Sequence, residues 1–297
     1  MRVLVTGSGG FVGRWLAAHL AETGDEVVGL DAEVDVTDAA ALTDAVVAAA
    51  PEAVCHLAAR TSVAESWRSS STTYLVNTVG TVNLLDAALA CPRRPRVLVV
   101  SSSEVYGRVS PEDLPLGEDR PPAPVSPYAA SKAAAEMAAL QAWLGSGLEV
   151  VRARPFNHTG PGQSSTFVVP ALAEQVARAA STGADHLSVG NLEVRRDITD
   201  VRDVVRAYRL LLAGGAPGGL YNVCRGRSVS IREVAERLLA LAGLDLPLVV
   251  DPARVRPADI PELCGDPTRL RAATGWEPRW ELEATLGDVL DYWRKEI

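Results

Sequence analysis

The sequence predicts an α/β protein: a doubly wound parallel sheet covered by helices on both faces, followed by a smaller α/β lobe. Three observations carry that expectation. Short apolar runs (Arg2–Thr6, Val27–Leu30, Ala53–Leu57, Val97–Val100 and Leu148–Ala153) alternate with helical stripes, the pattern of strands buried on both faces. A glycine-rich turn joins the first run to the first helix. Beyond about residue 156 the regular alternation loosens, as a separate lobe requires.

Arg2–Thr6 reads as the first strand, and Gly7-Ser8-Gly9-Gly10-Phe11-Val12-Gly13 follows at once. Phe11, Val12, Trp15, Leu16, His19 and Leu20 then form one helical stripe that ends near Gly24. Val27–Leu30 is the second strand, and Asp31 stands at its end. Strand, glycine turn, helix, strand and acid is the setting of a Rossmann-type dinucleotide fingerprint. Gly7 and Gly10 let the backbone approach a pyrophosphate at the positive end of the helix, and Gly13 allows close helix–strand packing. Phe11 and Val12 open that helix beside the cofactor. Asp31 accepts hydrogen bonds from a ribose and repels a 2′-phosphate, so NAD(H) is favoured, with NADP(H) the alternative.

Val34–Val36 is a further short run before the alanine-rich helix Asp38–Ala50, which makes Ala53–Leu57 the fourth strand. That strand ends in Leu57-Ala58-Ala59, small enough for backbone to meet cofactor, and His56 there reads as a packed core histidine. Thr61–Trp67 reads as a polar loop, and Asn77 starts an amphipathic helix through Ala90. Val97–Val100 delivers Ser101, Ser102 and Ser103 to the carboxyl edge of the sheet, where ligands bind in open α/β folds. Arg108–Val125, with five prolines, is a surface loop over that edge.

Pro127 starts the next helix, and Tyr128 and Lys132 stand four residues apart on one face of it. An isolated tyrosine titrates near pH 10, roughly, too high to exchange protons usefully at neutral pH. A neighbouring ammonium favours the phenolate, and a serine hydroxyl can address the same reacting oxygen. Taken alone, this spacing also fits a solvated helix face. Leu148–Ala153 then leads to Arg154-Pro155-Phe156-Asn157-His158-Thr159-Gly160-Pro161-Gly162-Gln163.

In the second part, Phe167–Ala180 is a helix, Leu187–Leu192 a strand and turn, Val201–Leu212 a helix and Gly219–Val223 a strand. Ser230 and Glu233 form a capping box that opens a helix to Leu241. The expected division is residues 1–155 plus about 196–222 for the cofactor domain, and about 156–195 plus 223–297 for the substrate lobe.

The net charge of −8 and the absence of basic runs argue against nucleic acid and anionic membranes as partners. No apolar run reaches membrane-spanning length. Cys55, Cys91, Cys224 and Cys264 are widely spaced, with no metal-binding pattern, and the start of the chain goes directly into a strand. A reduced, cytoplasmic enzyme without a metal is the expectation.

The spacing Gly7, Gly10, Gly13 resembles the extended short-chain dehydrogenase/reductases. Tyr128-x-x-x-Lys132, Arg154–Gln163, Val189-Gly190-Asn191-Leu192-Glu193, Arg196-Asp197 and Arg256-Pro257 follow in order and resemble its nucleotide-sugar branch, within it the enzymes of GDP-6-deoxyhexose synthesis. The resemblance covers essentially the whole chain. It implies that Tyr128 is the acid/base at the sugar 4-oxygen, that Lys132 lowers its pKa and holds the nicotinamide ribose, and that Ser102 hydrogen-bonds the reacting oxygen. Asp35 and Val36 would lie beside the adenine and Asn77 near the nicotinamide side, with Ser101 and Pro155 also binding the cofactor. Ser62, Val63, Ser103, Glu104, Asn157, Phe167, Val168 and Asn191 would meet the sugar nucleotide, with Arg196 and Arg256 on its diphosphate. A homodimer through the helices near Asn77–Ala90 and Tyr128–Leu144 is also implied.

The implied reaction is NAD(P)H-dependent reduction of the 4-keto group of a GDP-4-keto-6-deoxy-hexose. The alternatives are 4,6-dehydration of GDP-mannose or another nucleotide-sugar epimerase or dehydratase reaction. Glu104, two residues after Ser102, is where dehydratases of the branch carry their extra base and argues for dehydration. Ser102 in place of their threonine, and only Ala32 and Glu33 between Asp31 and Val34 where they carry an arginine-bearing insertion, argue for reduction. A catalytically inert cofactor-binding regulator would be expected to lack Tyr128 or Lys132, and both are present.

Overall fold

The computed structural model describes residues 1–254 and 260–297. The first part alternates β1 (Arg2–Thr6), α1 (Phe11–Glu22), β2 (Glu26–Leu30), α2 (Ala39–Ala49) and β3 (Ala53–His56). α3 (Val63–Arg68), α4 (Ser70–Tyr74), a π-helical turn over Leu75–Val79 and α5 (Gly80–Ala90) lead to β4 (Arg96–Val100), α6 (Pro127–Ser146) and β5 (Val150–Pro155). The remainder runs β6 (Asn157–Thr159), α7 (Val168–Thr182), β7 (Leu187–Val189), β8 (Arg195–Asp200), α8 (Val201–Gly214), β9 (Leu220–Val223), β10 (Ser228–Ser230) and α9 (Ile231–Ala242). It closes with β11 (Leu248–Val250), β12 (Glu262–Leu263), α10 (Thr268–Thr274) and α11 (Leu282–Glu296).

The main sheet has the order β2-β1-β3-β4-β5-β9, and every neighbouring pair is parallel. Its strands alternate between two apolar layers. Val3 and Val5 of β1 pack with α1, α8, Leu270 and Trp276, while Leu4 packs with α2, α5 and α6 on the other face. Thr6 is in register with both Leu30 and His56, so Gly7, Asp31 and Leu57 leave the sheet along one edge. The chain moves out from β1 to β2 and returns on the other side at β3. That reversal creates the crevice between β1 and β3 in which ligands bind.

The smaller lobe is built on β6, β8, β10 and β12, with β7 and β11 pairing separately. Its core lies among α7, α9 and α11. β8 belongs to this second sheet, so the chain returns to the main domain at Asp200, not near residue 196. Asp200 accepts from the Arg202 backbone and caps α8 at that crossing. Trp276, within the stretch expected in the substrate lobe, is instead buried in the main core with Leu270.

Three local expectations differ. Val34–Val36 forms turns, because Asp35 accepts from the backbone and hydroxyl of Thr37 and competes with ladder pairing; Ala53–His56 is therefore the third strand. The expected loop Thr61–Trp67 contains most of α3, which is capped by Ser62 accepting from the Glu65 backbone. Asn77 lies inside the π-helical turn and not at a helix start. Among the described residues, no helix is long and apolar enough to cross a membrane.

Candidate active site

A cavity of about 760 Å³ opens at the carboxyl edge of the main sheet. Its floor is the glycine turn. Gly7 has φ +69°, a conformation that favours glycine, and a Cβ there would stand 2.9 Å from the Ala58 nitrogen. A side chain at Gly13 would collide with the backbone of Gly7 and Ser8, and one at Gly9 with the Asp31 carboxylate. The turn thus presents bare backbone to the cavity, with Asp31 folded against it. These features fit a dinucleotide: an amide-lined approach for a pyrophosphate at the start of α1, and an acid for a ribose.

On the far wall stand Ser101, Ser102, Ser103, Glu104 and Tyr128. β4 ends at Val100 and projects the serines, while Ser126 caps α6 by accepting from the Ala129 backbone and sets Tyr128 in the first turn. Burial pushes the Tyr128 phenol up to about 12, and the Glu104 charge pushes the same way; a hydrogen bond with Ser102 pulls it back. Lys132 lies one turn deeper, buried, and its ammonium is pushed down to about 8 by desolvation against the opposing charge of Glu136. Tyr128 at neutral pH is a proton donor.

The family model described as GDP-mannose 4,6 dehydratase matches residues 32–289. The chain belongs to that nucleotide-sugar family. It is 40% identical to GDP-6-deoxy-D-mannose reductase of Pseudomonas aeruginosa over 299 residues, covering 100% of this chain and 98% of the relative. The solved structure of RMD from Pseudomonas aeruginosa complexed with NADPH superposes with a TM-score of 0.93 at 39% identity, covering 100% of both chains. UDP-glucose 4-epimerase of Thermus thermophilus with NAD gives a TM-score of 0.90 at 31% identity, again over 100% of both chains. The glycine turn, Tyr128 and the serine cluster thus sit in an extended short-chain dehydrogenase/reductase that binds a nicotinamide dinucleotide.

Within this member of the GDP-mannose 4,6-dehydratase family, the cavity brings together most residues expected at the site. Gly7, Gly10, Phe11, Val12, Gly13, Asp31, Asp35 and Val36 line its cofactor end. Leu57, Ala58, Ala59, Ser62, Val63, Pro155, Asn157 and Phe167 line the middle and the rim. Five expected residues are elsewhere. Lys132 is behind Tyr128 and off the cavity wall. Asn77 is buried beneath the wall, holding the Arg60 backbone and donating to Ser131 Oγ at 3.0 Å. Val168 starts α7 beside Phe167, and Asn191 makes a turn by accepting from the Glu193 backbone. Arg196 is buried, and its Nη1 donates to the carbonyls of Arg195 and Ile260. Arg256 falls outside the described residues.

Arg60, His158, Gln163 and Thr166 also line the cavity. His158 stacks on Phe11 with ring centroids 6.4 Å apart, joining the cofactor turn to the substrate lobe; burial lowers its pKa. The signal for His158 and Gln163 was present in the Arg154–Gln163 motif, whereas nothing in the local pattern marks Arg60.

Proposed function

We propose that this protein reduces the 4-keto group of a GDP-4-keto-6-deoxy-hexose. The observation that carries this reading is the placement of Tyr128 with Ser102 on the wall of the dinucleotide cavity. Ketone reduction needs a proton donor at the oxygen that becomes an alcohol. A bound nicotinamide supplies the hydride. Tyr128 donates its proton to the C4 oxygen, Ser102 hydrogen-bonds that oxygen, and the Lys132 charge behind Tyr128 stabilises the phenolate left behind. Ser62, Val63, Ser103, Glu104, Asn157 and Phe167 are assigned to the sugar nucleotide. The full-length likeness to the Pseudomonas aeruginosa reductase supports the substrate class.

NADH is the preferred donor in this reading, because Asp31 covers the glycine turn and the Glu33 carboxylate accepts from the Asp31 backbone at 3.0 Å. Two acids at the ribose end disfavour a 2′-phosphate, although the similar RMD structure carries NADPH. A homodimer through α5 and α6 is supported by exposed Val82 on α5 and Met137 and Leu144 on α6, with Leu75 and Val79 of the adjoining π-helical turn. The four cysteines are free and buried, consistent with residence in the reducing cytoplasm.

Glu104 favours a second reading, 4,6-dehydration, since it stands on the same wall as Tyr128. Incubation with the 4-keto-6-deoxy sugar nucleotide plus NADH, and separately with GDP-mannose, distinguishes the two. Nicotinamide oxidation with the first substrate only is the expected result. Conversion of GDP-mannose without net consumption of NADH would establish the dehydratase.

A further inference from the structure

Glu136 is fully buried on α6, one helical turn beyond Lys132 and two beyond Tyr128. Its carboxylate holds Arg154 of β5 in a fork, with Arg154 Nε at 2.9 Å from Oε2 and Nη2 at 2.6 Å from Oε1. Arg152 of the same strand approaches to 3.9 Å. A buried carboxylate flanked by two guanidiniums is over-compensated if they are its only neighbours, and desolvating three charges for one ion pair is costly. A third cation, Lys132, one turn back along α6 on the same face, gives the carboxylate a role at the site.

Lys132 is itself buried, in a position where an ammonium is unstable without a nearby negative charge. Among the described residues, the other groups around it do not supply one. His56 at the end of β3 is neutral, pushed down to about 3 by burial and by the Lys132 charge, and shares hydrogen bonds with Thr6 and Thr81. Tyr128 is a phenol, and Tyr106, buried beneath Arg154, is raised in the same way. From the π-helical turn, Asn77 and Thr78 reach α6 at Ser131 with an amide and a hydroxyl. Glu104 acts on Tyr128 from the cavity side. We propose that Glu136 is the counter-charge that keeps Lys132 an ammonium behind Tyr128, and that Arg154 sets how much of that charge Lys132 receives. Glu136 is thus a positioning residue that acts through Lys132, and the inference rests on Tyr128 and Lys132 forming the reducing site.

The test is the alkaline limb of the kcat/KM profile for 4-keto reduction. The expected wild-type limb is the deprotonation of Lys132, which burial pushes down and Glu136 pushes back up. Glu136→Gln keeps the shape of the side chain and removes its charge, and moves that limb down by at least about one pH unit. Arg154→Gln frees the Glu136 charge for Lys132 and moves the limb up; Arg152→Gln is the milder version should the loss of Arg154 prevent folding. Opposite shifts are the signature, because a purely structural ion pair lowers activity in all variants without moving the limb. An unmoved limb in folded Glu136→Gln, or shifts of the same sign, overturns the proposal. Lys132→Ala separates the two levels. If it retains turnover, the assignment of the site has failed; if it is inactive while Glu136→Gln titrates like wild type, only the role of Glu136 has.

Discussion

Asn77 grips the backbone of Arg60 from both sides, its Oδ1 accepting from the Arg60 nitrogen at 2.8 Å and its Nδ2 donating to the Arg60 carbonyl at 3.0 Å. The same amide reaches Ser131 on α6, and the Ser131 hydroxyl donates to the Tyr128 carbonyl at 2.7 Å. One buried side chain therefore ties the loop after β3, on the cofactor wall, to the helix that carries Tyr128. The π-helical turn at Leu75–Val79 aims it there.

Asn77→Ala removes three hydrogen bonds of a buried side chain, each worth about 1 kcal/mol net. The expected result is a rise of about ten-fold or more in the KM for the nicotinamide dinucleotide, with a lower Tm. Cofactor titration by fluorescence quenching checks it. Unchanged affinity would show that the loop after β3 keeps its position without this clamp.

Asp31 lines the cavity beside the glycine turn and is the acid assigned to the ribose under the proposed reading, so removing it should be read as a change in selectivity. Asp31→Ala is expected to reduce the ratio of kcat/KM for NADH over NADPH by about ten-fold, roughly the effect of one charge at close range in a partly solvated site. Steady-state rates with both cofactors decide the matter, and an unaltered ratio would remove Asp31 from the selectivity argument.

Where neighbours in sequence are neighbours in space, the site was legible. Gly7 to Asp31 form one βαβ unit, and Ser101–Glu104 with Tyr128 follow from a strand end and a helix start, so their residues converge as expected. Long-range partners were less visible. The guanidinium of Arg196 reads as a phosphate ligand, and nothing local in the sequence shows that its Nη1 donates to the Ile260 carbonyl, 64 residues away. Polar β8, Arg-Arg-Asp-Ile-Thr-Asp, shows no alternation that assigns it to either sheet. The burial of Trp276 depends on its indole donating to the Asp203 carbonyl at 2.9 Å, 73 residues away. The burial of Tyr128 and Lys132 was equally hidden, because their spacing shows a shared helix face and not what packs over it.

Asp197 supplies a pH-dependent stability term. It is fully buried on β8 and accepts from the backbone nitrogens of Arg225 and Gly226 at 2.9 Å each, yet desolvation outweighs these bonds and raises its carboxyl from 3.8 to about 6. The folded protein therefore holds this proton more tightly than the unfolded chain. Its contribution to stability falls as pH climbs from about 4 to about 6 and is level above that. Over this window wild type should lose on the order of 2–3 kcal/mol relative to Asp197→Asn, which cannot titrate. Urea unfolding of both proteins at pH 4.5, 5.5 and 7 measures the difference. A wild-type-minus-variant difference that stays flat with pH would refute the assignment.

Asp203 joins the two lobes by a different route. Buried on α8 in the main core, it accepts from the backbone nitrogens of Arg279 at 2.9 Å and Trp280 at 3.0 Å, and from Arg206 Nη2 at 2.7 Å. The chain it holds runs directly into α11, whose Leu286, Val289 and Leu290 pack in the core of the substrate lobe. Asp203→Ala strands these donors and should cost about 2–4 kcal/mol, a fall in Tm of roughly 5–10 °C for a protein of this size. Asp203 is not on the cavity wall, so dinucleotide affinity at 25 °C should remain within about two-fold of wild type. Thermal denaturation and cofactor titration on the same preparation test both halves. A normal Tm would mean that packing of Trp276 alone secures the segment, whereas weakened binding would mean that the lobe junction is coupled to the cofactor cavity.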